Sequence, residues 1–326
     1  MGGTRLFAAL TAVVLLVAGC TAPIQGAASP DGAAATKQNS PLTLQEALGD
    51  PVTVDFCSML DFAEIGKTHK VIGEPQRSMD RCEFTTNVGG STAHIMFGTP
   101  RDHAADRLGG MMAEPDAGLP RGLRLFRTEL AGRPWLYLRF ADDTTLQVVG
   151  FVESRDPKTE TDLVPELAEA ESKVLPGVLR ALRSPSNVRH VSYPEKSFGH
   201  VDACRAVLTD AQVNAETGKT FAGIGPLGRH DCHWGEPWNG PFDVSVEFDT
   251  GKPLELRAGA TEETIGGRRS IVEGGDGYCS VYTGHLPVRD GRAGDIEQVT
   301  LYVSSPKGCD LARTLANAAW PKLPAA

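Results

Sequence analysis

The 326-residue chain carries 32 basic and 41 acidic residues, a formal net charge of −9. That balance excludes nucleic acid and anionic bilayer surfaces as electrostatic partners. The length suffices for two ordinary domains, with room left for targeting and linking segments.

The chain opens with a single charge at Arg5, an apolar run from Leu6 to Ala18, and the stretch Val17-Ala18-Gly19-Cys20. Charge, apolar core and small residues in that order form a secretory signal, too short to span a membrane. The small-small-Cys ending is similar to the lipobox of bacterial lipoproteins. That resemblance implies a signal peptide over residues 1–19, diacylation of Cys20 (palmitate or a related chain) and a mature protein that begins there. Removing the leader takes Arg5 away and leaves 31 basic against 41 acidic residues, a formal charge of −10. No second stretch approaches the roughly 20 apolar residues of a spanning helix, so the expected attachment to the cell membrane is by lipid, on the extracytoplasmic face.

Residues 20–49 are rich in Ala, Gly, Ser, Thr and Pro and bury too little to offset their own ordering entropy. They read as a lipidated, disordered tether with an end-to-end distance of roughly 30 Å. Only Leu42–Leu48 has the pattern of a short helix.

An internal repeat follows. Val54-Asp55-Phe56-Cys57 recurs as Val201-Asp202-Ala203-Cys204. Asp61-x-x-Glu64 and Thr209-x-x-Gln212 then read as helix capping boxes, with Gly66 and Gly218 as helix stops. Each copy reaches a second cysteine with an aromatic two residues on: Cys82-Glu83-Phe84 and Cys232-His233-Trp234. Strand patterns come next, clearest where Phe242, Val244, Val246 and Phe248 alternate with polar residues. Their counterparts are Ala93–Phe97, Leu123–Leu130, Trp135–Phe140 and Leu146–Val152 in the first copy. In the second they are Ile271-Val272, Tyr278–Tyr282 and Val299–Val303. Each copy closes on a helical face: Leu163, Leu167, Val174, Val178 and Leu182, interrupted at Pro176, then Leu311, Leu315 and Ala319. The expected fold is α+β, two tandem duplicated domains, each an antiparallel sheet with N- and C-terminal helices. The first domain spans 50–183, a Pro-containing linker 184–197, and the second domain 198–326.

Seven cysteines are present. With Cys20 committed to the anchor, six remain in an exported chain, so disulfides are the default. Fifteen pairings are possible in principle. Equivalent cysteines of a repeat should find equivalent partners, which gives Cys57–Cys82 and Cys204–Cys232. Elimination leaves Cys279–Cys309, joining a strand to the opening of the last helix.

The lipobox, the Asp-x-Cys before a helix, the later Cys-x-Trp and a last cysteine opening the C-terminal helix resemble actinobacterial lipoproteins of the domain of unknown function 3558 family. The second copy carries the fuller pattern; the first has Phe84 in place of the tryptophan and lacks a second cysteine pair. The resemblance implies location and fold and brings no activity with it. A looser similarity exists to extracytoplasmic sensor domains of mycobacterial kinases.

His230, Cys232, His233 and Cys204 are metal-ligand residue types, yet a zinc site needs reduced thiolates, and outside the cytoplasm the disulfide is favoured. Gly223-x-Gly225-x-x-Gly228 matches a dinucleotide fingerprint by letter only: a helix precedes it and a strand follows, the reverse of what pyrophosphate binding requires. No residues assemble a nucleophile, base and oxyanion hole, so no catalytic residue, metal or cofactor is assigned. In the loop His233–Asn239, Trp234 matches Phe84 and belongs to the core. Trp238 has no counterpart, and with His233 it is the candidate ligand-binding position. The expected function is a lipid-anchored extracytoplasmic binding or sensor-like protein of the bacterial envelope, taking a small ligand or an envelope protein. A structural envelope adaptor is the alternative, and an envelope hydrolase the third reading.

Overall fold

Alternating apolar and polar side chains build two antiparallel sheets. The computed structural model describes residues 40–102, 112–113, 118–130, 133–153, 161–235, 243–275, 277–289 and 291–325. The first sheet contains β1 (Val71–Arg77), β2 (Arg81–Val88), β3 (Ser91–Asp102), β4 (Met112–Ala113), β5 (Arg124–Leu130), β6 (Arg133–Arg139) and β7 (Thr144–Val152). Its seven strands lie in the order β1-β2-β3-β7-β6-β5-β4. The second contains β8 (Asp231–Gly235), β9 (Asp243–Gly251), β10 (Thr261–Ile265), β11 (Arg268–Gly275), β12 (Tyr278–Pro287) and β13 (Ile296–Ser304). Its six strands lie in the order β10-β11-β12-β13-β9-β8. With β1 set aside the two orders coincide. In each sheet the first two strands form an antiparallel pair, the last strand joins its side, and the others follow outward in reverse.

The helices are short: α1 (Leu44–Leu48), α2 (Phe62–Ile65), α3 (Val164–Ser172), α4 (Leu175–Arg183), α5 (Asp210–Thr217) and α6 (Gly308–Ala319). At α5 the capping box is complete, because Thr209 accepts from the Gln212 N–H and the Gln212 side chain returns to the Thr209 N–H. Gly218 closes α5 in the left-handed region at φ 69°. At α2 only half of the device is present: Asp61 accepts from the Glu64 N–H, and Gly66 is right-handed at φ −63°. Gly66 therefore extends the turn instead of stopping it, and His69 N still donates to Ile65 O at 3.0 Å. The apolar face around Pro176 is split between α3 and α4. Proline falls in the first turn of α4, where its missing N–H costs nothing.

Packing starts earlier in the chain than its composition suggests. Thr43 and Glu46 cap α1 in a full capping box. Leu44 and Leu48, one helical turn apart, are 3% and 1% exposed in the first core. The segment 184–197 is bound to both halves of the molecule. Its end meets the second sheet, where Glu297 accepts from Ser197 and Lys196 O lies 2.7 Å from His285 Nε2. Its first part meets the first sheet's side. Val188 joins that core, Asp55 N donates to Arg189 O at 2.9 Å, and Val191 N to Thr53 O at 2.7 Å.

Two apolar cores result. The first lies between β2, β3, β5, β6, β7 and α1, α3, α4. The second lies between β9, β11, β12, β13 and α5, α6, with Trp234 and Trp320 fully buried. We call the two halves lobes. They exchange residues: Met79, from the β1–β2 turn, is buried in the second core, and Leu227 packs against the first. Three disulfides complete the framework: Cys57–Cys82, Cys204–Cys232 and Cys279–Cys309, each with Cα atoms 4.9 Å apart. Disulfides of this kind persist in oxidising, extracytoplasmic compartments. Among the described residues no helix is long and apolar enough to cross a membrane.

Candidate functional site at the lobe junction

Two polar residues precede the second cysteine in each repeat: Asp80-Arg81 before Cys82 and His230-Asp231 before Cys232. Because strand side chains alternate, the inward Cys82 and Cys232 put Arg81 and Asp231 on the outward faces of β2 and β8. Asp80 and His230 sit on the turns just before. The two turns face one another. His230 N donates to Asp80 Oδ2 at 3.1 Å, and the ring places Nδ1 2.8 Å from Asp80 Oδ1 and Nε2 3.1 Å from the Gly199 carbonyl. Each turn is anchored alike, since Thr99 N donates to Asp80 O and Phe248 N to His230 O, both at 2.7 Å.

Both ring nitrogens of His230 face acceptors, an arrangement that beside the Asp80 carboxylate an imidazolium satisfies and a neutral ring does not. Burial works against that charge, but the Asp80 carboxylate more than offsets it and holds the ring's pKa above its ordinary value. Alongside lies an ionic network. Arg81 pairs with Glu247 and, at 3.3 Å, with Asp249, while Arg101 lies 3.5 Å from Asp231. Burial opposes the Arg81 charge and its two carboxylate partners prevail, raising its pKa. Asp231 and Asp249 are each pushed above the carboxylate range, by burial first; Glu247 adds to both.

Beside Asp231 the junction opens into a cleft of about 590 Å³. The first lobe contributes Leu44, Gln45, Asp50 and Asp142, and the second Asp202, Arg205, Arg229 and Asp231. Local hydrogen bonds aim the carboxylates. Asp142 accepts from Leu44 N at 3.2 Å and Thr144 Oγ1 at 2.6 Å. Asp202 accepts from Cys204 N at 3.0 Å and Arg205 N at 3.1 Å. Arg229, in the left-handed region at φ 67°, makes no ion pair among the described residues. Its position is fixed by Ala203 N donating to its carbonyl at 2.9 Å.

The glycine run beside the cleft is a loop with a packing reason. A Cβ at Gly223 would lie 2.6 Å from Trp234 Nε1, and one at Gly225 would overlap the Asp231 carbonyl. Between them Ile224 exchanges both backbone hydrogen bonds with His233, each 2.9 Å long. His233 itself projects from the outward face of β8, with Nδ1 3.2 Å from Asp243 Oδ1, and does not line the cleft. Trp234 is buried and donates to Asp210 Oδ1 at 2.8 Å. Trp238 and Cys20 lie outside the described residues. The sulfurs of Cys204 and Cys232 are bonded to each other. Among the described residues no three His, Cys, Asp or Glu converge as metal ligands.

Sequence reading passes over Asp80, Arg101, Arg229 and Asp231. A signal existed, since a polar pair stands in the same place before Cys82 and Cys232. The meeting of those pairs depends on how the lobes dock. No family model matches the chain, and no curated protein or solved structure matches it significantly. Fold and site define its class: a disulfide-bonded α+β protein of two antiparallel sheets with a polar cleft at their junction.

Proposed function

We propose that the chain is a lipid-anchored binding protein on the extracytoplasmic face of a bacterial membrane, and that its ligand enters the cleft between the lobes. One observation carries the reading: both lobes supply walls to a concavity of ligand size, the kind of place where small molecules are commonly held. The cleft presents oriented carboxylates, the protonatable Asp231, and Arg229, which makes no ion pair among the described residues. Such a lining suits a polar ligand bearing hydrogen-bond donors. The lipobox-like stretch ending at Cys20 and the resemblance to the domain of unknown function 3558 lipoproteins support the location.

We also infer that the lobes arose by tandem duplication. The shared strand order, the matching first cysteine pairs and a terminal helix in each lobe support this. So does the junction, where Asp80 and His230, equivalent positions of the repeat, meet as the two sides of an isologous interface do.

The test is native mass spectrometry and calorimetry with a panel of sugars, amino acids and short peptides, comparing wild type with Arg229→Ala and Asp142→Asn. At least one class should bind wild type and lose affinity about tenfold or more in a cleft variant. Binding that ignores both substitutions, or no binding across the panel, would reject the cleft.

A further inference from the structure

We propose that docking of the two lobes is proton-coupled: the closed junction holds protons that the separated surfaces would release, so the lobes grip more tightly as the medium acidifies.

The geometry requires at least one such proton. His230 is 1% exposed and bonded at both ring nitrogens to acceptors. The first acceptor belongs to the other lobe and the second to its own. A neutral ring would set a lone pair against one of them. The groups facing His230 add to the demand for positive charge: Asp80 from the β1–β2 turn and Glu297 from β13, with the Tyr193 ring 5.9 Å away. Tyr193 stays neutral, its pKa raised chiefly by burial.

Among the described residues the neighbouring network is short of cations. Arg81 and Arg101 face Asp231, Glu247 and Asp249, with Asp80 adjoining. Glu83 also bears on Arg81 and is shared with His94 at 3.0 Å. Three partly buried carboxylates against two arginines favour proton uptake at Asp231 or Asp249.

All the shifts have one sign. His230 is raised above 6.5, so its contribution is complete below that value and is lost as pH rises through the raised one. Asp231 and Asp249 are raised above 3.8, so theirs too is lost as pH climbs through the shifted values. Alkalinity therefore loosens the junction through the imidazolium and the carboxyl groups alike. This holds whatever the cleft binds.

The test is amide exchange on the full chain at about pH 6 and about pH 9, corrected for the intrinsic rate. The reporting amides bridge the lobes: His230 N to Asp80 Oδ2 at 3.1 Å and Leu227 N to Pro100 O at 2.6 Å. Their protection should fall tenfold or more at the higher pH, while amides between β12 and β13 keep theirs. Asp231→Asn combined with Asp249→Asn, which fixes both neutral forms at nearly unchanged shape, should shrink that fall severalfold. Equal protection at both pH values, loss shared by the β12–β13 amides, or a double variant as pH-sensitive as wild type would overturn the proposal.

Discussion

Gly228 of the second lobe lies so close to Asp80 of the first that a methyl group on its Cα would overlap the carboxylate. Asp80 cannot move aside, because His230 holds both of its oxygens. Gly228→Ala should thus cost about 1–3 kcal/mol or more and raise exchange at the bridging amides. Urea unfolding at neutral pH checks it. An unchanged midpoint would mean that the carboxylate has room that this packing denies it.

Met79 crosses the junction as an apolar plug, 2% exposed within the other lobe's core. Met79→Ala should destabilise by about 2–5 kcal/mol, the range for emptying a buried site of that size. Exchange should rise in the second lobe, whose core loses the side chain, more than in the first. The reverse pattern would contradict the assignment of Met79 to the second core.

Glu171, on α3, is fully buried beneath the first sheet. One oxygen accepts from Gly150 N at 2.7 Å and the other has no hydrogen-bond partner among the described residues. Burial pushes the carboxyl up to about 8, so it folds protonated. Its contribution is complete below pH 4.5 and is lost as pH rises through about 8. Glu171→Gln should match wild type in acid and exceed it in alkali, by an amount of the order of a few kcal/mol. Denaturation across pH, read as the difference between the two proteins, isolates this group from the junction. Parallel curves would refute the protonated carboxyl.

Cys279–Cys309 ties β12 to the opening of α6 across 30 residues. Loop-closure entropy values such a bond at about 3–4 kcal/mol. Replacing both cysteines with alanine should lower stability by up to that amount and free α6 ahead of α4, which no disulfide reaches. Hydrogen exchange of the two helices in one sample distinguishes them. Peptide mapping without reduction should find crosslinks only within each lobe.

Cys20→Ala should release the protein from membranes, because acylation at that sulfur is the expected anchor. Detergent partitioning of the variant reads this directly, and partitioning equal to wild type would point to another attachment.

The elements with a buried face were legible in the amino-acid sequence. Val244, Val246 and Phe248 alternate into the second core, Thr209 and Gln212 cap α5, and the cysteine repeat led to the pairing that the disulfides adopt. Periodicity records burial inside one element, which is why these could be read. Edge strands escaped for the same reason: β1 and β10 bury little on either side, and Gly73 and Pro75 break the pattern of β1. The cleft was not legible. Trp238 lies outside the described residues, and His233, on the outward face of β8, does not line the cleft, which draws on segments near residues 44–51, 142–144 and 202–231. Asp80 and His230 stand 150 residues apart, and neither has a periodic pattern to mark it. Their pairing is decided by which surfaces the lobes bury against each other. That choice follows from the shape of two finished cores, with Met79 entering one and Leu227 resting on the other, and no local run of residues encodes it.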